Sequence, residues 1–240
     1  MTRVAFATTP LVSWHRGGSE DVTSASRHAF VVAALARAEL VEIDVRAFAD
    51  GTLVCVHDAT LDDGTAVRDA SRASHPDVFT FAAFLDDLDA NDPARHTGIH
   101  LDLKGVGYEL EAAAMVRATG RAYFATTSHD HSIRRLRLAF PDDDAFLTLG
   151  QGAEGRGRVT MMRVRAGELF PVVRLWRTRA TGVAAHERLA TPFLRAWCRV
   201  TRRRVVVWTV DDDAGLSRWL TAGVAVVTTN RPRRALERRA

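Results

Sequence analysis

The feature that most constrains this chain is its rhythm. Short apolar, β-branched runs alternate with amphipathic stretches of helical period along most of its length. That alternation is the pattern of βα units wound about a parallel sheet. Eight runs read as strands: Leu11–Trp14, Val41–Arg46, Ile99–Leu103, Ala122–Thr127, Ala145–Leu149, Gly182–Ala185, Val205–Val210 and Val224–Thr228. Between them Ser24–Ala38, Glu109–Thr119, His131–Phe140, Pro192–Val200 and Asp213–Ala222 read as helices. Ala29, Val32, Ala33 and Ala36 form a helical stripe in the first. Thr191 and Pro192 offer an N-cap and an N1 proline to the fourth.

Two stretches break the rhythm. Residues 58–98 are too long for one βα loop. Asp50-Gly51 reads as a turn, Leu53–Val56 as a further extended segment, and a helix is expected near Phe81–Leu88, so the stretch reads as an insertion after the second strand, over the mouth of the sheet. Gly150–Arg179 is expected to hold the fifth helix and the approach to the sixth strand. A chain of 240 residues suits one large α/β barrel or two small domains.

Composition removes several classes. Hydrophobic residues make up 47% and charged residues 26%, a soluble globular profile. No run of eighteen apolar residues occurs, so no stable membrane insertion is expected. Thr8, Thr9 and Pro10 interrupt the N-terminal apolar stretch, which does not read as a signal peptide. Two cysteines, Cys55 and Cys198, are too few for a disulfide framework, and a cytoplasmic location is expected. The net charge of +4 is carried almost wholly by arginine. The clusters Arg202-Arg203-Arg204 and RPRRALERRA invite a polyanion. No aromatic interleaving or nucleic-acid motif accompanies them. They read as a solvated surface, with no nucleic-acid partner. Against that bias stands the one lysine of the chain, Lys104, in HLDLKG beside Asp102. Lysine is a compact point charge, unlike the arginine fork.

The polar residues then fall into a pattern. Glu42 and Asp44 lie two apart on the second strand, so both carboxylates face the same way. Asp102 and Lys104 repeat that spacing on the third. His15 and Arg16 follow the first strand, His57 ends the extended segment after Gly51, and Trp208 and Asp211 mark the end of the seventh. These are the C-terminal ends of strands, where a barrel builds its active site. Three carboxylates make a hard, oxygen-rich pocket suited to Mg²⁺ or Ca²⁺. Two histidines and a cation beside it suit phosphodiester cleavage. Each piece alone also has a plain structural reading: an ion-paired rim for Glu-x-Asp, a satisfied structural histidine, a Lys104–Asp102 pair. Their ordered occurrence on the first three strands favours a site.

Several segments closely resemble glycerophosphodiester phosphodiesterases: HRG at His15–Gly17, VEIDVRAFADGTLVCVHDATL from Val41, DLK at Asp102–Lys104, TSHDHSIRRL from Thr127, VVVWTVDD from Val205 and VVTTNRP from Val226. The resemblance spans nearly the whole chain in order. It implies a (β/α)8 TIM barrel with a small insertion after strand two, one domain over residues 1–240. It implies Glu42, Asp44 and Asp102 as metal ligands for Mg²⁺ or Ca²⁺, His15 and His57 as the acid/base pair, Arg16 and Lys104 as phosphate holders, and Trp208 as a pocket wall. The implied reaction releases glycerol 3-phosphate and an alcohol from a small glycerophosphodiester, with a cyclic phosphate as a route. The chain departs from the pattern in three places. The usual Pro-Glu-Asn-Thr after HRG is absent, with Ser24 and Ala25 at its Glu and Asn positions. Asp102 replaces the usual Glu, and Asn230 the usual Asp before Arg-Pro. Sphingomyelinase/phospholipase D-like lipid cleavage and a catalytically inactive barrel used as a binding module are the alternative readings. The alcohol and the oligomeric state are left open.

Overall fold

The β-branched runs close on themselves. The computed structural model describes residues 3–20, 22–150 and 171–239. Its strands are β1 (Leu11–Trp14), β2 (Leu40–Ala47), β3 (Leu53–Val54), β4 (Gly98–Leu103), β5 (Tyr123–Thr127), β6 (Asp144–Leu149), β7 (Gly182–His186), β8 (Arg204–Trp208) and β9 (Val226–Thr229). The helices are α1 (Arg27–Leu35), α2 (Phe81–Asn91), α3 (Glu109–Thr119), α4 (Asp130–Ala139), α5 (Pro171–Thr178), α6 (Pro192–Val200), α7 (Asp213–Leu220) and α8 (Pro232–Arg239). All strands except β3 pair in parallel, and β1 bonds both β9 and β2. The result is a (β/α)8 barrel, with β3 laid antiparallel on the outer end of β2.

Strand alternation sorts the side chains into two populations. One set, including Val12, Val41, Ile43, Leu101, Ala125, Leu147, Val183 and Val207, packs against Phe30, Phe84, Ala112, Ile133 and Leu216 of the helices in the main core. The other set points into the barrel. Its lower layer is apolar: Leu40, Phe124, Phe146, Ala184, Val206 and Val226. Phe6 closes that end, its ring centroid 6.0 Å from those of both Phe124 and Phe146. Two residues further along the same face the lining turns polar, with Ser13, Glu42, His100, Thr126, Thr148 and Thr228 all buried. This change within one pleat repeat creates a polar chamber at the C-terminal ends of the strands.

The insertion after β2 has a small core of its own, Phe48, Val54, Val67 and Ala70. Thr80 caps α2 by accepting from the Ala83 N–H, and Phe84 packs edge-on to Phe30 of α1 at 5.1 Å. Arg121, between α3 and β5, is fully buried against the segment by which the chain returns toward β4. It donates to Asp89, to the Asp92 carboxylate and to the carbonyls of Leu88, Asp92 and Thr97.

Some boundaries differ from the sequence pattern for local reasons. Ser26 accepts from the Ala29 N–H and starts α1 at Arg27 rather than Ser24. Strand β8 stops at Trp208, and Val210 instead donates its N–H to the Thr228 carbonyl. The arginine-rich tail, read from sequence as a solvated cluster, is helix α8 and is largely ion-paired. Arg239 grips Glu39 at 2.7 and 2.9 Å, while Arg234 and Arg238 reach Asp213 at 2.9 and 2.6 Å. Of the expected Gly150–Arg179 segment, α5 is the described part, and residues 151–170 lie outside the described residues. Among the described residues no helix is long and apolar enough to cross a membrane.

Candidate active site

Strand β2 sets Glu42 and Asp44 on the inner face, and register places Asp102 of β4 opposite Asp44. The three carboxylates are buried, each offering an oxygen within 4.8 Å of the others. Two cations meet them. Lys104 Nζ lies 2.5 Å from Asp102 Oδ2 and 3.0 Å from Asp44 Oδ1. Arg16 Nε lies 2.9 Å from Asp44 Oδ2, and its backbone N–H donates to Glu42 Oε2 at 2.8 Å. Burial, then the charges of Asp44 and Asp102, push the Glu42 carboxyl well above the usual range. Burial also opposes ionisation of Asp44, but Lys104 and Arg16 outweigh it and hold its carboxyl below the usual range. Burial works against the Lys104 ammonium, yet Asp102 and Asp44 raise it above the ordinary lysine value. Lys104 and Arg16 thus pair with Asp102 and Asp44, and the uncompensated burial falls at Glu42. Asp44 Oδ1 is buried and faces the Lys104 ammonium at 3.0 Å without a well-aligned hydrogen bond. Hard oxygen donors in excess of local positive charge fit a divalent cation.

The loop carrying Arg16 is bent to reach this place. Arg16 is in the left-handed region at φ 50°, at a cost of about 1–3 kcal/mol for a non-glycine residue. The Glu42 hydrogen bond, the Asp44 pair and the Ala25 N–H on the Arg16 carbonyl hold it there. Gly17 follows at φ +81°, and a Cβ there would lie 2.8 Å from Ala29.

The two histidines are set up differently. His15 Nδ1 lies 2.8 Å from Asn230 Oδ1. The Asn230 amide donates through Nδ2 and its backbone N–H to Asp211, which turns its carbonyl oxygen toward His15. Nδ1 must then donate, leaving Nε2 as the basic nitrogen. Burial, then Arg16, lowers the His15 pKa, which favours the neutral ring. His57 instead places Nδ1 2.7 Å from Asp58 Oδ1, and its side chain is 37% exposed. The Asp58 carboxylate supplies a countercharge when His57 carries a second proton. Arg46 ties this loop to the end of β4, donating to the carbonyls of His57 and Lys104 at 3.0 and 3.1 Å.

His15, Arg16, Glu42, His57, Asp102, Lys104 and Trp208 line one cavity of about 300 Å³. Asp44 sits against it through Arg16 and Lys104. The fold thus gathers all eight residues singled out from the sequence. It adds Arg46, Asp58, His100 and Thr126 to the lining, and sets Asn230, with Asp211 already noted at the end of the seventh strand, behind His15. Arg46 and His100 lie two residues from Asp44 and Asp102, so the same alternation could have found them. No local signal marks Asn230 or Asp211 as partners of His15.

The comparisons with known proteins agree with this architecture. A glycerophosphodiester phosphodiesterase from Parabacteroides distasonis superposes with a TM-score of 0.78 at 18% identity, over 96% of each chain. One from Agrobacterium tumefaciens gives 0.71 at 20% identity, over 95% of this chain and 99% of that one. An Oleispira antarctica phosphodiesterase, solved in complex with the product sn-glycerol-3-phosphate, gives 0.74 at 16% identity over 96% of each. At this identity the likeness concerns the fold. No curated protein matches by sequence. The chain is a phosphoric diester hydrolase. The profile of the Glycerophosphoryl diester phosphodiesterase family matches residues 15–149, more than half the chain, and the protein belongs to that family.

Proposed function

We propose that this protein hydrolyses small glycerophosphodiesters to glycerol 3-phosphate and an alcohol, with His15 as the first base and His57 as the first acid. The observation that carries the assignment is the contrast between the rings. His15 is a part-buried imidazole whose pKa is lowered and whose Nδ1–H is committed to Asn230, so its Nε2 lone pair is available to take a proton. His57 has a carboxylate on Nδ1 and partial access to solvent, which suits a ring that arrives protonated and delivers that proton to the leaving oxygen.

Glu42, Asp44 and Asp102 would hold a Mg²⁺ or Ca²⁺ ion. When bound, such an ion neutralises phosphoryl charge and acidifies an oxygen nucleophile. Arg16 and Lys104 add fixed positive charge for a phosphate, and Trp208 walls the chamber. Among the described lining residues there is no Ser or Cys beside the histidines to serve as a nucleophile. Thr126 is committed to Asp102. The attacking oxygen then belongs to water or to the substrate. A glycerol 2-hydroxyl is already tethered to the phosphate. Intramolecular attack can reach effective concentrations of about 10⁵ M or more, which favours a cyclic glycerophosphate opened by water with the histidines exchanging roles. A cytoplasmic setting belongs to the same proposal, supported by two free thiols, Cys55 and Cys198.

Phosphorus NMR tests the reading. Glycerophosphocholine should yield glycerol 3-phosphate, excess chelator should stop the reaction, and Mg²⁺ or Ca²⁺ should restore it. Full turnover in chelator sinks the metal assignment. Turnover confined to lysophospholipid or sphingomyelin, ending as cyclic phosphate, sinks the substrate assignment. A 2-deoxy diester consumed as fast as the parent rules out the cyclic route.

A further inference from the structure

Beneath the three carboxylates lies a buried imidazole that the proposed chemistry does not use. We infer that Ser13, His100 and Thr126 form a one-way hydrogen-bond relay that fixes the Asp102 carboxylate, which makes His100 a positioning residue. This rests on the reading of Asp102 as a metal ligand.

The direction of the relay follows from proton counting. Asp102 is paired with Lys104 at Oδ2 and, as a carboxylate, has only acceptors. Thr126 Oγ1 lies 2.8 Å from Asp102 Oδ1 and therefore donates its single proton there. His100 Nε2 lies 3.0 Å from the same Thr126 oxygen. That oxygen has no proton left, so the imidazole must be the donor through Nε2–H. At the other side Ser13 Oγ stands 3.1 Å from Nδ1. In the neutral ring Nδ1 is then the acceptor, and Ser13 donates. The opposite tautomer would present a lone pair to Thr126 and compete with Asp102 for the hydroxyl proton. The bond orienting the carboxylate thus depends on which nitrogen of His100 is protonated.

Packing alone does not call for an imidazole here. The ring of His100 stacks on Phe124 with centroids 4.4 Å apart, above the apolar lower layer of the barrel. A phenyl ring would meet that surface at no polar desolvation cost. What a phenyl ring lacks is the N–H. Register makes the relay possible: Asp102 and Thr126 are direct partners across β4 and β5. His100 precedes Asp102 by one pleat repeat on the same inner face. Partners of this kind, hydrogen-bonded to a metal-binding group, typically change metal affinity about 10–100-fold when removed.

Two measurements decide it. The first is ¹⁵N NMR of histidine-labelled, metal-free protein, which needs neither substrate nor ion. His100 Nε2 should be protonated, and an unprotonated Nε2 overturns the relay. The second is calorimetric titration with Mg²⁺. His100→Phe keeps the stacked ring and should weaken binding roughly tenfold or more. His100→Gln, which can place an N–H near the Nε2 position, should recover most of it. Thr126→Val should match His100→Phe, and the double variant should be no worse than either, because both act through one bond. Independent, additive losses, or a His100→Phe protein that binds like wild type, refute the inference. Asp102→Asn is the control. If it too binds like wild type, the metal reading of Asp102 fails, and the NMR result still judges the relay. Should His100→Phe fail to fold, the NMR on wild-type protein decides alone.

Discussion

Replacing Arg121 with methionine should unfold the protein early without touching its chemistry. The guanidinium is fully buried and makes five donated hydrogen bonds. Most of those acceptors survive its loss. Asp89 is half exposed and recovers in water. The Leu88 and Asp92 carbonyls keep the backbone donors Asp92 N–H and Arg95 N–H. The damage concentrates on Asp92, whose carboxylate is buried and retains only the Thr97 N–H and His96. Removing one partner of a buried ion pair costs about 3–5 kcal/mol, and those two remaining contacts put the expectation near 3. For a chain of this size each kcal/mol lowers Tm by about 2–4 °C, so the melting point should fall roughly 6–12 °C. Arg121→Lys should not rescue it, since an ammonium cannot reproduce the fork. Differential scanning calorimetry and urea unfolding provide the measurement. Turnover per folded molecule, taken well below the transition, should stay at the wild-type level, because Arg121 holds the end of α2 rather than the chamber. A loss below about 1 kcal/mol would show that the buried network is energetically neutral and that the reasoning from desolvation is wrong.

Other perturbations read out the site and its supports. His15→Ala and His57→Ala should each retain wild-type circular dichroism and lose about 10²–10⁴-fold in kcat, the usual contribution of a general acid or base; near-normal turnover in either marks that histidine as structural. Gly17→Ala forces a Cβ to 2.8 Å from Ala29 at a positive φ. It should shift the loop bearing Arg16, cost about 1–3 kcal/mol, and raise KM for a diester; an unchanged KM would separate that loop from substrate binding. The Asp92 carboxyl supplies a pH test. Its burial opposes ionisation, but the Thr97 N–H, Arg121 and His96 hold its pKa below the ordinary value. The unfolded chain therefore takes up the proton first, so this stabilisation is complete above about pH 4 and is lost as the pH falls from there toward the folded value. Urea midpoints measured between pH 5 and pH 3 should fall more steeply in the wild type than in Arg121→Met, and parallel slopes would refute the assignment.

What the sequence by itself determined was whatever a strand carries locally. Side-chain direction repeats every two residues, so Glu42 with Asp44, and Asp102 with Lys104, could be assigned to common faces before any strand had a neighbour. The same rule, carried one residue pair further, would have reached Arg46 and His100 as lining residues, though not what they bond. Cap chemistry was local too, as Thr191 and Pro192 at the start of α6 show. Pairing across the barrel was not. His15 and Asn230 lie 215 residues apart in sequence and meet only because closure sets β9 beside β1. The hydroxyl that holds Asp102 came from the register of β5 on β4, which no single segment specifies. Arginine carries no mark of its fate in an arginine-rich chain. Arg121 and Arg234, Arg238 and Arg239 of α8 looked alike as sequence, yet the first is sealed under the insertion and the other three clasp Glu39 and Asp213. A side chain's direction is set by its own φ and ψ, whereas its partner is set by strands that meet only when the barrel closes.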